Sequence, residues 1–157
     1  MLFRSDMDKS GIATSLLSLI QPAMAFGSVE QGRKLAREAN EHAAKLASTH
    51  KGRFGSFACL PFTDIPGALA EIAHAFDELK AEGICLMTSY GGKYLGDPAF
   101  WPLLEELNRR KAVVYTHSLA PQCCGNISSP VSIATVDRKT TRLNSSHIPL
   151  SRMPSSA

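Results

Sequence analysis

Apolar residues along this chain alternate between short continuous runs and stripes at helical spacing. Ala13 to Ile20 reads as a strand closed by Gln21-Pro22, and Phe54 to Leu60 as a second, stopped by Pro61. Ile84 to Thr88 and Ala112 to His117 give a third and a fourth. Between them, Ser28-x-x-Gln31 is a capping-box pattern opening a helix whose stripe is Leu35, Ala39, Ala43, Leu46 and Ala47. Asp64 caps the next, with Pro66 in its first turn, Leu69, Ile72, Ala73, Phe76 and Leu79 on one face, and Gly83 as its predicted end. A long loop carrying Gly91, Gly92 and Gly96 leads to the Asp97-Pro98 helix start, and Trp101, Leu104 and Leu107 continue a stripe to about Arg110.

Strands separated by helices predict a parallel sheet with right-handed crossovers. The strand ends at Ile20, Leu60, Met87 and Thr116 are 40, 27 and 29 residues apart. A closed eight-stranded (β/α) barrel uses roughly 31 residues per unit, so about half a barrel fits here. A complete open, doubly wound sheet fits the same periodicity.

The chain has 157 residues, 44% apolar and 20% charged, as expected for one globular domain. A net charge of +3 is too small and too scattered to argue for nucleic acid or an anionic membrane. No apolar stretch approaches the roughly 20 residues of a membrane span. Two acids near Met1 and the lack of an apolar run argue against a secretory signal, so a cytoplasmic protein is expected. Cys59 and Cys85 sit in apolar runs and read as core filler; Cys123-Cys124 lacks the spacing of a zinc grip. Beyond Ile127 the chain turns rich in Ser, Pro, Thr and basic residues. The stretch from Arg138 to Leu150 resembles translated sequencing-adapter read-through, so residues 138–157 are expected to be a non-native tail after a domain spanning 1–137.

In a parallel α/β architecture reactive groups gather at the carboxyl ends of the strands. Those ends offer Gln21, Phe62, Thr63, Ser89, Tyr90, the Gly91-Gly92 loop and His117, of which His117 alone is a good metal ligand or acid/base group near neutral pH. His42, His50 and His74 read as helix or helix-end residues. The glycines at 91, 92 and 96 match neither phosphate-loop signature and read as a connection closing onto the Asp97 cap. Tyr90 and Tyr94 are placed to line a pocket.

Four segments in register, Lys34 to Glu41, Gly52 to Pro61, Gly92 to Pro98 and Val113 to His117, resemble the amidohydrolase-related decarboxylases, the group of the aminocarboxymuconate-semialdehyde, γ-resorcylate and 6-methylsalicylate decarboxylases. The resemblance spans about residues 7–137. It implies a partial TIM (β/α)8 barrel, about strands two to five, and a carboxy-lyase acting on aromatic or unsaturated carboxylic acids with one divalent metal, Zn2+ or Mn2+. It places a metal-binding His on His117, followed here by Ser118 where the family commonly has Pro. It also makes Ala120 to Asn126 an active-site loop, which adds Cys123 to the pocket residues. The family's His-x-His and its later His and Asp have no counterpart in residues 1–137, so the acid/base groups are expected outside this chain and the chain alone is expected to be inactive. The implied partner is a small carboxylic acid, and the intact parent is expected as a homodimer. A metal-dependent hydrolase of the same fold and a small non-catalytic α/β binding domain are the rival readings. Arg53, at a strand start, is expected to be structural.

Overall fold

The computed structural model describes residues 2–19 and 27–117. Gln21, Cys123 and the 138–157 tail lie outside them. Four parallel strands form one sheet: β1 (Ser15–Ser18), β2 (Phe54–Ala58), β3 (Gly83–Met87) and β6 (Val114–His117), in the spatial order β1-β2-β3-β6. Helix α2 (Val29–Thr49) connects the first pair, α3 (Ile65–Ala73) the second and α4 (Trp101–Arg109) the third. Strand order follows chain order without reversal. With right-handed crossovers this places every helix on the same face, the arrangement of a barrel wall rather than of a doubly wound sheet.

The other face is concave. Phe57 on β2 and Tyr115 on β6 are separated by a whole strand, which in a flat sheet means roughly 9.6 Å, twice the usual strand spacing. Their rings stack with centroids 5.9 Å apart. Gly83 lies between them in the ladder, paired with Phe57. A Cβ there would come within 2.6 Å of the Phe57 ring and 2.5 Å of the Val113 carbonyl oxygen, so the close approach requires glycine.

The core lies between sheet and helices. Ala58, Ile84 and Leu86 meet Ile72, Ala75, Leu103, Leu104 and Leu107, all buried, and all five β3 residues are buried. Successive elements of the helix layer are joined by ion pairs. Arg33 of α2 holds Asp64 at 2.5 and 3.0 Å, Arg37 of α2 holds Glu71 of α3 at 2.8 Å, and Arg110 after α4 holds Asp77 at 2.7 and 2.9 Å.

The capping box forms as predicted, with the Ser28 hydroxyl accepting from the Gln31 backbone N–H and the Gln31 side chain accepting from that of Ser28. Asp64 occupies its cap position, but its carboxylate binds Arg33 instead of making a side-chain capping bond. Gly83 does not end the third helical segment. Helix α3 continues as a π-helical turn, His74–Glu78, and the chain reverses at Lys80, whose φ of 57° takes the left-handed role expected of glycine. Gly83 instead opens β3. The loop after β3 contains a short hairpin, β4 (Ser89–Tyr90) and β5 (Lys93–Tyr94), turned by Gly91 and Gly92, both at positive φ. A 3-10 turn, Pro98–Phe100, precedes α4. Trp101 leaves the predicted stripe and is 50% exposed, because Phe100 and Leu103 take the inward positions. An N-terminal helix, α1 (Leu2–Lys9), was not legible in the apolar pattern; it buries Met7, and its Asp8 pairs with Arg53 just ahead of β2, at the amino ends of the strands. Arg53 thus sits at the amino ends of the strands, opposite the rim, where the sequence placed it. No helix among the described residues is long and apolar enough to cross a membrane.

Candidate functional site

The carboxyl ends of β2, β3 and β6 form a rim. His117 is the last residue of β6, paired in register with Met87 of β3, and its carbonyl accepts from the Thr88 backbone N–H at 3.1 Å. Its ring meets that of Tyr115 edge-on, centroids 6.5 Å apart. The short apolar run Val114-Tyr115 carries the imidazole to the strand end because β6 pairs along its whole length with the fully buried β3.

Met87 links this strand end to Tyr90, whose hydroxyl accepts from the Met87 backbone N–H at 2.8 Å. The Tyr90 ring stacks on Phe62 at 4.3 Å and meets Phe100 edge-on at 6.1 Å, while Phe62 and Phe100 are 4.7 Å apart. Burial pushes the Tyr90 phenol well above its ordinary range. Tyr90 is therefore a neutral, buried post beneath the rim. Tyr94 lies on the exposed strand of the hairpin, outside this aromatic cluster.

A second group at the end of β2 was not anticipated. Asn40 of α2 accepts from the Cys59 backbone N–H at 2.9 Å and donates to the Cys59 carbonyl at 2.9 Å and to Glu71 at 2.8 Å; Arg37 completes the set on the other Glu71 oxygen. Asn40 and Glu71 are buried. The only sequence signal was an Asn four residues after Ala36 on an otherwise small, apolar helix face. Burial pushes the Cys59 thiol up to about 12, which rules it out as a thiolate nucleophile near neutral pH. Cys85 is likewise buried, and its thiol is raised by burial.

Among the described residues no group of three or more His, Cys, Asp or Glu could hold a metal ion. A catalytic divalent ion needs about three protein ligands plus an open position. The described residues thus do not by themselves fit a metal, and no catalytic step is assigned to them through one.

A parallel, one-sided, concave sheet with a histidine at a strand end defines a segment of a (β/α)-barrel. Residues 13–148 match the family model described as Amidohydrolase, and the chain belongs to that family. It is 47% identical over 117 residues to decarboxylase yanB of Aspergillus niger, covering 71% of this chain and 32% of that protein. It is 40% identical over 115 residues to the 6-methylsalicylic acid decarboxylase acuB of Aspergillus aculeatus, covering 71% and 35%. The crystal structure of dihydroxybenzoic acid decarboxylase from Polaromonas sp. JS666, with bound manganese and the inhibitor 2-nitroresorcinol, superposes with a TM-score of 0.70 at 25% identity, covering 93% of this chain and 42% of that one. The chain thus spans about a third of the length of the curated relatives it matches. The fold is a partial barrel of this family.

Proposed function

We propose that this chain is part of a metal-dependent decarboxylase that removes CO2 from small aromatic or unsaturated carboxylic acids. The observation that carries the reading is the 40% identity to a 6-methylsalicylic acid decarboxylase, in a segment whose strand β6 ends on His117. In this reading His117 contributes one ligand to a divalent ion, Mn2+ or Zn2+, completed by residues elsewhere in the whole enzyme. Manganese in the related Polaromonas structure favours that ion. Tyr90, Tyr94 and Cys123 line the substrate pocket, Tyr90 from beneath. In this reading the domain boundary falls near residue 137, with a non-native tail at 138–157, although the family match extends to residue 148, and the enzyme is cytoplasmic with neither nucleic acid nor membrane as partner.

The test is a chimera in which residues 13–117 replace the matching segment of the Aspergillus aculeatus enzyme. The chimera is expected to bind about one equivalent of metal and to release CO2 from 6-methylsalicylate. His117→Ala in the chimera is expected to lose both. A folded, metal-loaded chimera that hydrolyses a lactone but releases no CO2 from any salicylate-type acid overturns the decarboxylase reading; full metal occupancy in the His117→Ala chimera overturns the ligand assignment.

A further inference from the structure

Strands β2 and β3 part at their carboxyl ends. Their register holds for Phe57 with Gly83 and Ala58 with Ile84, whereas β3 and β6 stay paired from Ile84 with Val114 as far as Met87 with His117. Continued at the same offset, β2 would set Pro61 opposite Met87, and a proline has no N–H to offer a ladder. The chain turns away before that point, and the Cys59 N–H and carbonyl are taken by Asn40 of α2. This departure deprives β3 of one backbone partner. Ile84 and Thr88 donate to carbonyls on the β6 side, those of Val113 and His117. Backbone donors alternate sides along a strand, so the Met87 N–H points to the side that β2 has left. The Tyr90 hydroxyl stands there and accepts from it at 2.8 Å. The ring that carries this hydroxyl is itself fixed, stacked on Phe62 at 4.3 Å and edge-on to Phe100 at 6.1 Å.

We infer that the Tyr90 hydroxyl stands in for the missing strand and is a positioning residue for His117: by holding Met87 in strand geometry it fixes the rung on which the imidazole is carried. Met87 and His117 are register partners, and the bond from the Thr88 N–H to the His117 carbonyl, at 3.1 Å, lies one residue further along. Without the hydroxyl, the N–H of buried Met87 loses its partner, and β3 satisfies it only by twisting out of register with β6 or by admitting water. Either change moves the strand end that carries the imidazole. Groups that orient a metal ligand change metal affinity by about tenfold or more when removed. Tyr90 acts through the Met87 backbone and transfers no proton. The inference rests on the reading of His117 as a metal ligand.

The test places Tyr90→Phe, which removes the hydroxyl and keeps the ring, in the chimera described above. Mn2+ affinity is expected to fall by about tenfold, with KM for 6-methylsalicylate at saturating Mn2+ unchanged. Ser28→Ala, which removes a helix cap on α2, is expected to leave metal affinity unchanged, so that a loss of stability alone does not give the same result. In the 157-residue chain the Met87 amide is expected to exchange as slowly as that of Cys85, and to lose this protection in Tyr90→Phe. Should Tyr90→Phe fail to fold, the parent chain decides, and a Met87 amide that exchanges as fast as an exposed loop overturns the inference. Undiminished metal affinity in a folded Tyr90→Phe chimera overturns it too, and a raised KM alongside makes Tyr90 a pocket wall only. An equal fall in affinity in Ser28→Ala also overturns it. If His117→Ala keeps its metal, the ligand reading fails and this inference with it; if His117→Ala loses the metal while Tyr90→Phe keeps it, this inference alone fails.

Discussion

Asn40 does what no apolar residue could at its position: it satisfies both backbone groups of Cys59, just beyond β2, and shares a carboxylate with Arg37. Buried polar groups stripped of a partner cost about 1–3 kcal/mol each. Asn40→Ala leaves the Cys59 amide and carbonyl and one oxygen of buried Glu71 without this partner. The expected loss is about 2–4 kcal/mol, read by urea denaturation, with loosened amide exchange at Cys59. If the loss is below about 1 kcal/mol, other groups or water satisfy Cys59 and the clamp is not as described. At this scale the sequence was a partial guide. His117, Cys59 and Cys85 were legible because their neighbours in the chain set their surroundings. Asn40 was not, because its partners lie 19 and 31 residues away.

Elements were legible where local chemistry decides them. The Ser28 capping box formed because its donors and acceptors lie within four consecutive residues. Ser28→Ala is expected to cost about 1 kcal/mol in the same urea assay. At the other end of the helix layer, Glu106 of α4 is held down to about 2, first by hydrogen bonds from Arg109 and then by Arg110. Its folded value lies below its unfolded one near 4.5, so its contribution is complete above about pH 4.5 and is lost as pH falls toward 2. The stability gap between wild type and Glu106→Gln is therefore expected at pH 6 and expected to close by pH 2; a gap constant across that range refutes the ion-pair account. The helix end at Lys80 was misread because a π-helical turn extends the segment and a lysine, not Gly83, takes the positive φ. Gly83 is reserved for a constraint from another strand, the Phe57 ring and the Val113 carbonyl.

For the whole molecule, a rim with one histidine among the described residues is chemically incomplete. The purified chain with added Mn2+ is expected to release no CO2 from 6-methylsalicylate, measured by mass spectrometry of the headspace; turnover above background would mean that the chain carries its own full ligand set. The order of strands and helices, their parallel direction and the position of His117 followed from the sequence alone, since apolar period, caps and breakers act over a few residues. The curvature that separates half a barrel from an open sheet did not follow from that periodicity; the family resemblance alone implied it. It arises where Phe57 and Tyr115 meet across Gly83, a contact between residues many positions apart that no local pattern encodes. The stacking of Tyr90 beneath the rim and the clamp on Cys59 were likewise decided by tertiary packing, because burial and hydrogen-bond partnership are properties of neighbours in space and not of neighbours in the chain.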